Sequence, residues 1–282
     1  MNYKQILITV FVLLSLKSTA MAQDNAQTLI NKAVQYEKES NYTAAVSLYL
    51  QILKSLPESS SIYNNLGVNY FELQKYDEAV FALKRSIALN SKYEKAYFNL
   101  GTVYWHLKRT AETVSALQKA VALNPQYNEA RAKLCDVYLA SEQAQEAVGC
   151  YKKLLLLTPQ DAQSNSNYGV ALMRAKRFKE AVRIFEENLK NFPPNAENFN
   201  NLGVVLLELH RYKEAIAALN RALEIESDNE PMRYNLAIAQ LADKNKTAAL
   251  EQYSFLKKTN TDLARRLFEM IYKGKIILVK NQ

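Results

Sequence analysis

The sequence predicts an all-α solenoid of seven tandem 34-residue helix-turn-helix repeats with a C-terminal capping helix, and three observations carry that expectation. The 282-residue chain has only 6 Gly and 6 Pro beside 49% apolar residues. Such a chain has few turns and much to bury, which favours long helices over strands and hairpins. Small residues recur every 34 positions at Ala33, Gly67, Gly101, Cys135, Gly169, Gly203 and Ala237. A second series with the same spacing runs Ala45, Ala79, Thr113, Ala147, Ala181, Ala215 and Ala249, and no insertion or deletion interrupts either.

The spacing has a physical cause. Two antiparallel helices of about 12 to 14 residues with two short turns use about 34 residues. Where their axes come closest the side chains must be small, so the two series mark the contact on the first and second helix of each repeat. Four of the six glycines fall in the first series and serve packing, not phosphate binding. Large residues fill the rest of the interface. Tyr36, Tyr70, Tyr104, Tyr138, Leu172 and Leu206 follow the first small position by three residues, on the same helical face. Tyr49, Leu83, Leu117, Tyr151, Phe185, Leu219 and Tyr253 follow the second by four. Pro57, Pro125, Pro159 and Pro193 stop second helices. Tyr42, Tyr76, Phe178 and Tyr212 mark the bends between paired helices.

The run Tyr63-Asn64-Asn65-Leu66-Gly67-Val68-Asn69-Tyr70 and the run Phe199-Asn200-Asn201-Leu202-Gly203 resemble the first helix of the tetratricopeptide repeat (TPR). Tyr76-Asp77-Glu78-Ala79 and Tyr212-Lys213-Glu214-Ala215 resemble the opening of its second helix. The resemblance, to the exported bacterial type of this family, covers seven repeats from Ala26 to Asp262 and implies a right-handed superhelix. Repeats 1 and 7 depart from the pattern, with Lys32 in place of a core Leu and Gln240 in place of the Tyr, as expected of caps. Residues 263–282 then form a capping segment. Leu263 to Lys273 reads as a helix with Leu263, Leu267, Met270 and Ile271 on its apolar face, ended by Gly274. The apolar tail Ile276-Ile277-Leu278-Val279 either packs back onto the cap or offers a strand to a partner's sheet edge.

Residues 1–22 read as a signal peptide. Lys4 supplies a positive start, Ile6 to Leu16 an uncharged apolar core of 11 residues, and Ala20-Met21-Ala22 a small-x-small cleavage site. That core falls well short of the roughly 20 residues needed to cross a bilayer. Cleavage before Gln23 and a periplasmic or secreted location are therefore expected. No Cys follows the apolar core, which excludes a lipid-modified N-terminus. The even count of two cysteines, Cys135 and Cys150, permits a disulfide. The repeat register gives each a separate packing role, so two free thiols are expected. The net charge of +8, from 36 basic and 28 acidic residues, describes a mildly basic surface and not a nucleic-acid footprint.

The chain carries no pattern of catalytic chemistry. His106 and His210 lie three repeats apart and cannot share a metal or form a relay. No Cys-x-x-Cys, His-Glu-x-x-His, Gly-x-Ser-x-Gly or phosphate-loop pattern occurs. No enzymatic activity, cofactor or metal is expected. Reading RNA one base per repeat would need basic and aromatic residues at one recurring position, and the inner positions carry mostly Asn and aliphatic residues.

With the first small residue counted as position 8, the resemblance implies that positions 2, 5, 6, 9, 12 and 13 of each first helix line a concave groove. Position 6 is Asn31, Asn65, Asn99, Lys133, Asn167, Asn201 and Asn235. An Asn amide can bond the C=O and N–H of a peptide unit together, so this column suits an extended chain held independently of its sequence. The alternative is that these amides bond to neighbouring helices. Position 12 adds Phe71, Trp105, Leu139, Met173, Leu207 and Leu241, and position 5 adds Phe98 and Tyr234. Phe71, Phe98 and Trp105 form the densest aromatic group in neighbouring repeats and are the candidate affinity hot spot. No position 5 is Lys, so the carboxylate clamp known in this family is absent. The expected partner is an extended peptide segment of an envelope or secreted protein. The alternative is a structural spacer in an envelope complex with contacts outside the groove.

Overall fold

The computed structural model describes residues 25–273, and every regular element among them is an α-helix. The chain divides into two compact units. The first, up to Val137, holds α1 (25–38), α2 (Tyr42–Ser55), α3 (Ser60–Glu72), α4 (Tyr76–Leu89), α5 (Glu94–His106), α6 (Thr110–Leu123) and most of α7 (Asn128–Ala140). The second, from Tyr138, holds the end of α7, α8 (Ala144–Leu155), α9 (Ala162–Arg174), α10 (Phe178–Asn191), α11 (Ala196–Glu208) and α12 (Tyr212–Ile225). It ends with α13 (Glu230–Ala242), α14 (Lys246–Thr259) and α15 (Thr261–Lys273). Odd-numbered helices up to α13 carry the first small series and even-numbered ones the second. The described residues thus hold seven helix pairs and a capping helix, in the register that the sequence predicts. The signal-peptide reading and the tail at 276–279 lie outside the described residues.

First helices begin on side-chain caps where the sequence supplies them. Ser59, Asp161, Asn195 and Asn229 accept backbone N–H groups of Ile62, Gln163, Asn198 and Met232, and Pro231 sits in the first turn of α13. Several second helices open instead on an arginine that pairs with the glutamate three residues on: Arg109 with Glu112, Arg177 with Glu180, and Arg211 with Glu214, each at 2.7 Å. These pairs are exposed to solvent, so each adds little to stability.

The turn inside each repeat carries a constraint that the sequence hides. Position 15 adopts a positive φ of 56–64° at Ser40, Gln74, Lys108, Glu142, Lys176, His210 and Lys244. The N–H of position 16 reaches back to the carbonyl of position 11, as in Lys75 to Tyr70 at 2.8 Å and Arg211 to Leu206 at 2.9 Å. The N–H of position 15 bonds to position 12, as in Gln74 to Phe71 at 2.8 Å. This is the Schellman end of a helix, a place where glycine is usual because it has no Cβ to strain. Here none of the seven residues is glycine.

The glycines serve inside the first helices. A Cβ built at Gly67 would stand 2.6 Å from Leu83 Cγ, and at Gly203 2.5 Å from Leu219 Cγ. At Gly169 it would stand 2.6 Å from Phe185 Cε1. The close approach is therefore between position 8 and the large side chain four residues after the second small position. Leu83, Leu117, Phe185 and Leu219 are fully buried in these notches. Gly149 faces open space and has no such role. At the C-terminal end α15 lies on α13 and α14. It buries Leu267, and its Met270 Sδ accepts the Tyr234 hydroxyl at 3.5 Å. Tyr234, a groove position in the sequence reading, is thereby covered. Gln240, where other first helices carry Tyr or Leu, is buried with its Oε1 unpaired.

The expectation of two free thiols is overturned: neither Cys135 nor Cys150 is free, and both are disulfide-bonded. The packing role and the disulfide role are compatible in this register. One repeat earlier, their counterparts are Gly101 and Ala116, and a Cβ at Gly101 would lie 3.5 Å from the Cβ of Ala116. Bridged cysteines have Cβ atoms about 3.5–4.5 Å apart. In that repeat a residue at position 8 therefore lies within disulfide reach of the residue just before the large one on the paired helix.

Two substitutions should move stability in opposite directions. Gly169→Leu forces a side chain into the space of Phe185 and should lower stability by roughly 1–3 kcal/mol. Lys108→Gly relieves a left-handed residue at a strain of about 1–2 kcal/mol, partly offset by glycine's greater unfolded-state entropy, for a net gain of up to about 1 kcal/mol. Thermal melts followed by circular dichroism read both. A melt unchanged by Gly169→Leu would show that position 8 is not the close contact.

Candidate functional site

Position 8 needs a small residue, glycine in four of the seven repeats, and that requirement fixes which face each first helix turns to its paired second helix. In the first unit α3, α5 and α7 share a pocket of about 440 Å³. Val68, Phe71 and Glu72 come from the C-terminal half of α3. Phe98, Asn99 and Thr102 come from the middle of α5, and Glu129, Ala132, Lys133 and Asp136 from α7. Leu83 and Val103 reach it from the buried core. In repeat numbering all but those two stand at positions 2, 5, 6, 9, 12 or 13, the set implied by the family resemblance. The lining runs diagonally across three successive first helices, so one extended segment could touch all three.

The pocket brings together Phe71, Phe98, Asn99 and Lys133 from the sequence-predicted set. Phe98 lies 5.2 Å from the ring of Tyr127. Phe71 meets His106 edge-on at 4.7 Å and Tyr76 at 5.8 Å. Trp105 is half-buried and lies outside this lining. Among the described residues it makes no ring contact with Phe71 or Phe98, so the three aromatics are not one cluster.

The Asn column divides by environment. Asn99 Nδ2 donates to Asn64 Oδ1 at 2.8 Å, and Asn64 Nδ2 donates to Asn65 Oδ1 at 3.3 Å. Asn65 Nδ2 donates to the Tyr49 hydroxyl at 3.3 Å, which in turn donates to Glu37 at 3.0 Å. Asn69 Nδ2 also reaches Glu37, at 2.5 Å. A polar chain thus runs along three repeats of the first unit. In the second unit Asn235 Nδ2 donates to Asn200 Oδ1 at 2.9 Å. Asn31 and Asn167 accept from Gln27 and Gln163 one turn earlier on their own helices, each at 3.0 Å. Asn201 is only 6% exposed. Bonding to neighbouring helices, the alternative role for these amides, is therefore present at Asn65, Asn99 and Asn235. It engages one of the two amide N–H bonds of each and leaves the other.

The carboxylates Glu72, Glu129 and Asp136 were not singled out in the sequence. They stand at positions 13, 2 and 9, and comparing charge at those positions between repeats would have shown them. A second feature was also missed. Phe81, 72% exposed, and Leu50, 44% exposed, lie with Tyr63 and Tyr70 around a shallow groove of about 560 Å³ built by α2, α3 and α4.

Buried phenols dominate the titration of this region. Burial first, and then the charge of Glu37 and a hydrogen bond to it, push the Tyr49 hydroxyl well above its ordinary range. The Tyr127 hydroxyl is pushed up to about 12 by burial, followed by the Glu129 and Glu94 carboxylates. Tyr70, Tyr93 and Tyr234 are also raised, chiefly by burial. In the unfolded chain phenols lose their protons near pH 10. The folded chain holds them to higher pH, so stability is complete below about pH 10 and falls as pH rises towards about 12. Melting temperatures across that window should fall steeply, and less steeply in Tyr127→Phe. Equal slopes in the two proteins would show that this phenol is not among the groups responsible.

Models of one repeat family match the chain in succession. One described as "TPR repeat" matches residues 69–108, and three described as "Tetratricopeptide repeat" match 104–166, 160–228 and 200–259. No functionally curated protein matches. Among solved structures the chain is similar to a tetratricopeptide repeat protein from Parabacteroides merdae, with 15% identity and a TM-score of 0.60, over 87% of this chain and 98% of that one. It is similar to YrrB, described as a TPR protein with an unusual peptide-binding site, with 20% identity and a TM-score of 0.61, over 70% and 97%. It is also similar to MamA, with 24% identity and a TM-score of 0.54, over 59% and 91%. At these identities the likeness concerns the fold.

Proposed function

Because the chain belongs to the tetratricopeptide-repeat family, we propose that it is an exported, non-catalytic scaffold that holds an extended segment of a partner protein on the face of its first helices. The observation that carries this reading is the pocket across α3, α5 and α7, where apolar rings and a half-engaged amide, Asn99, lie side by side. An apolar anchor with a few polar groups that fix orientation is the usual make-up of a peptide site. The peptide-binding site named for YrrB, which shares the fold, supports the same assignment. Export is supported by the N-terminal sequence and by the disulfide-bonded state of both cysteines, which suits an oxidising compartment. Among the described residues no helix is long and apolar enough to cross a membrane. The role that follows is an adaptor or assembly factor of the cell envelope.

A spacer with contacts outside the groove is the second reading. It is favoured by the exposed Phe81 and Leu50, which stand where the other repeats carry small or polar residues.

Partner capture from envelope extracts, measured per folded molecule, separates the two. On the groove reading Phe98→Ala should weaken capture by roughly thirtyfold, equivalent to about 2 kcal/mol. The quadruple Asn→Ala variant at positions 65, 99, 167 and 201 should nearly abolish it. The quadruple variant should also melt lower, because Asn64 and Tyr49 lose hydrogen-bond partners at about 1 kcal/mol each. Normal capture by a folded quadruple variant, with loss in Phe81→Asp, would replace the groove reading by the spacer. Location has its own check: the mature protein should begin at Gln23 and fractionate with soluble periplasmic or secreted material. An N-terminal sequence of Met-Asn-Tyr from membrane fractions would reverse that assignment.

A further inference from the structure

The pocket across α3, α5 and α7 differs in charge from the chain around it. The chain carries a net charge of +8, yet three carboxylates, Glu72, Glu129 and Asp136, line this pocket against one ammonium, Lys133. Glu72 and Glu129 are exposed, and neither makes an ion pair among the described residues. Their charges therefore face solvent at the rim, while Val68, Phe71 and Phe98 supply the apolar surface. Tyr127, whose ring lies 5.2 Å from that of Phe98, has its hydroxyl raised by burial first and then by the Glu129 and Glu94 carboxylates. An acidic segment, or a chain terminus ending in a carboxylate, would meet like charge here.

We propose that this pocket selects a partner segment that presents one large apolar side chain flanked by lysine or arginine. The proposal rests on the groove reading and adds the chemistry of the occupant. The volume of about 440 Å³ falls in the range of pockets that enclose a small ligand, enough for one aromatic side chain and the backbone beside it. The apolar side chain enters between Phe71 and Phe98. The flanking cations extend to Glu72 on α3 and Glu129 on α7, on opposite sides of the anchor. Asn99 keeps one amide N–H for a backbone carbonyl of the segment, because its other N–H is held by Asn64.

The test uses the full mature chain and fluorescein-labelled short peptides, read by fluorescence anisotropy. One peptide carries a single Phe flanked by lysines, a second the same Phe flanked by glutamates, and a third has Ala in place of Phe between lysines. The lysine-flanked Phe peptide should bind at least roughly tenfold tighter than the glutamate-flanked one at low salt, as two exposed ion pairs gained or turned repulsive allow. Added salt should narrow that ratio, because exposed charges are screened over about 8–10 Å. The Glu72→Gln, Glu129→Gln double variant should bring the two peptides to within about twofold. Both residues are exposed, so its melting curve should match that of the parent. The Ala peptide should bind much more weakly than its Phe counterpart. Equal binding of lysine- and glutamate-flanked Phe peptides, both lost in Phe98→Ala, would overturn the charge selectivity and leave the groove reading standing. Binding of the Ala peptide as strong as that of the Phe peptide would reduce the site to a nonspecific acidic surface. No binding by any peptide would overturn the selectivity and the groove reading together.

Discussion

The small notch left at position 8 of the first helix, by glycine in four repeats and by Ala33, Cys135 and Ala237 in the others, is the constraint on which the rest of the structure depends. A large residue of the second helix fills that notch, and at Gly67, Gly169 and Gly203 even one added carbon would stand within 2.6 Å of it. Helix axes that approach this closely allow little rotational freedom, because interhelical geometry is set by the side chains at the contact. Each first helix must then present the same face in every repeat. The positions that line the pocket at Phe71, Phe98 and Lys133 are consequences of a packing requirement on the opposite face of the same helices. The candidate site is placed by a core contact that takes no part in it.

The same constraint explains what was legible in the sequence. A steric requirement repeated at a fixed interval leaves a periodic trace, so helix number, pairing and register could be read from Ala33 to Ala249. The left-handed turn at position 15 left no trace. Its conformation is imposed by the hydrogen bonds that end the first helix, and residues as different as Ser40, Glu142 and Lys244 accept it at modest strain. Cysteine pairing was misread for a related reason. A small residue in the register has a sufficient explanation in packing, and that explanation hides the fact that the same residue can also be bonded.

The candidate site was legible only as far as it is periodic. The Asn column and the apolar positions recur, so Phe71, Phe98, Asn99 and Lys133 could be named in advance. The aromatic group could not be assembled correctly, because the lining runs diagonally and takes position 12 from α3 alone. Trp105 occupies the same register position as Phe71 yet lies outside the pocket. The carboxylates were missed because their information is in a departure from the repeat. Position 2 reads Gln, Ser, Lys, Glu, Gln, Glu, Pro along the chain, and position 13 reads Lys, Glu, His, Ala, Arg, Glu, Ala. No single residue type runs through either position, so the charge of the pocket is set where the repeats disagree.

The hydrogen bonds along the first helices give the Asn column a structural role that bears on the recognition proposed for it. An exposed amide on a free helix face samples several rotamers, and a ligand that fixes it loses part of the binding energy to that ordering. Asn99 is held by Asn64, Asn64 reaches Asn65, and Asn65 is held by Tyr49, whose hydroxyl is anchored on Glu37. Each bond fixes the plane of an amide whose remaining N–H or lone pair is then already aimed. The structural role of the column in the first unit is therefore compatible with the ligand-binding role proposed for it. Glu37, which is not in the pocket lining, anchors the far end of this chain: its carboxylate accepts the Tyr49 hydroxyl, which in turn accepts from Asn65. A repeat array gains pre-organisation in this way without any addition to its core, because the polar chain lies along the surface that packing had already lined up.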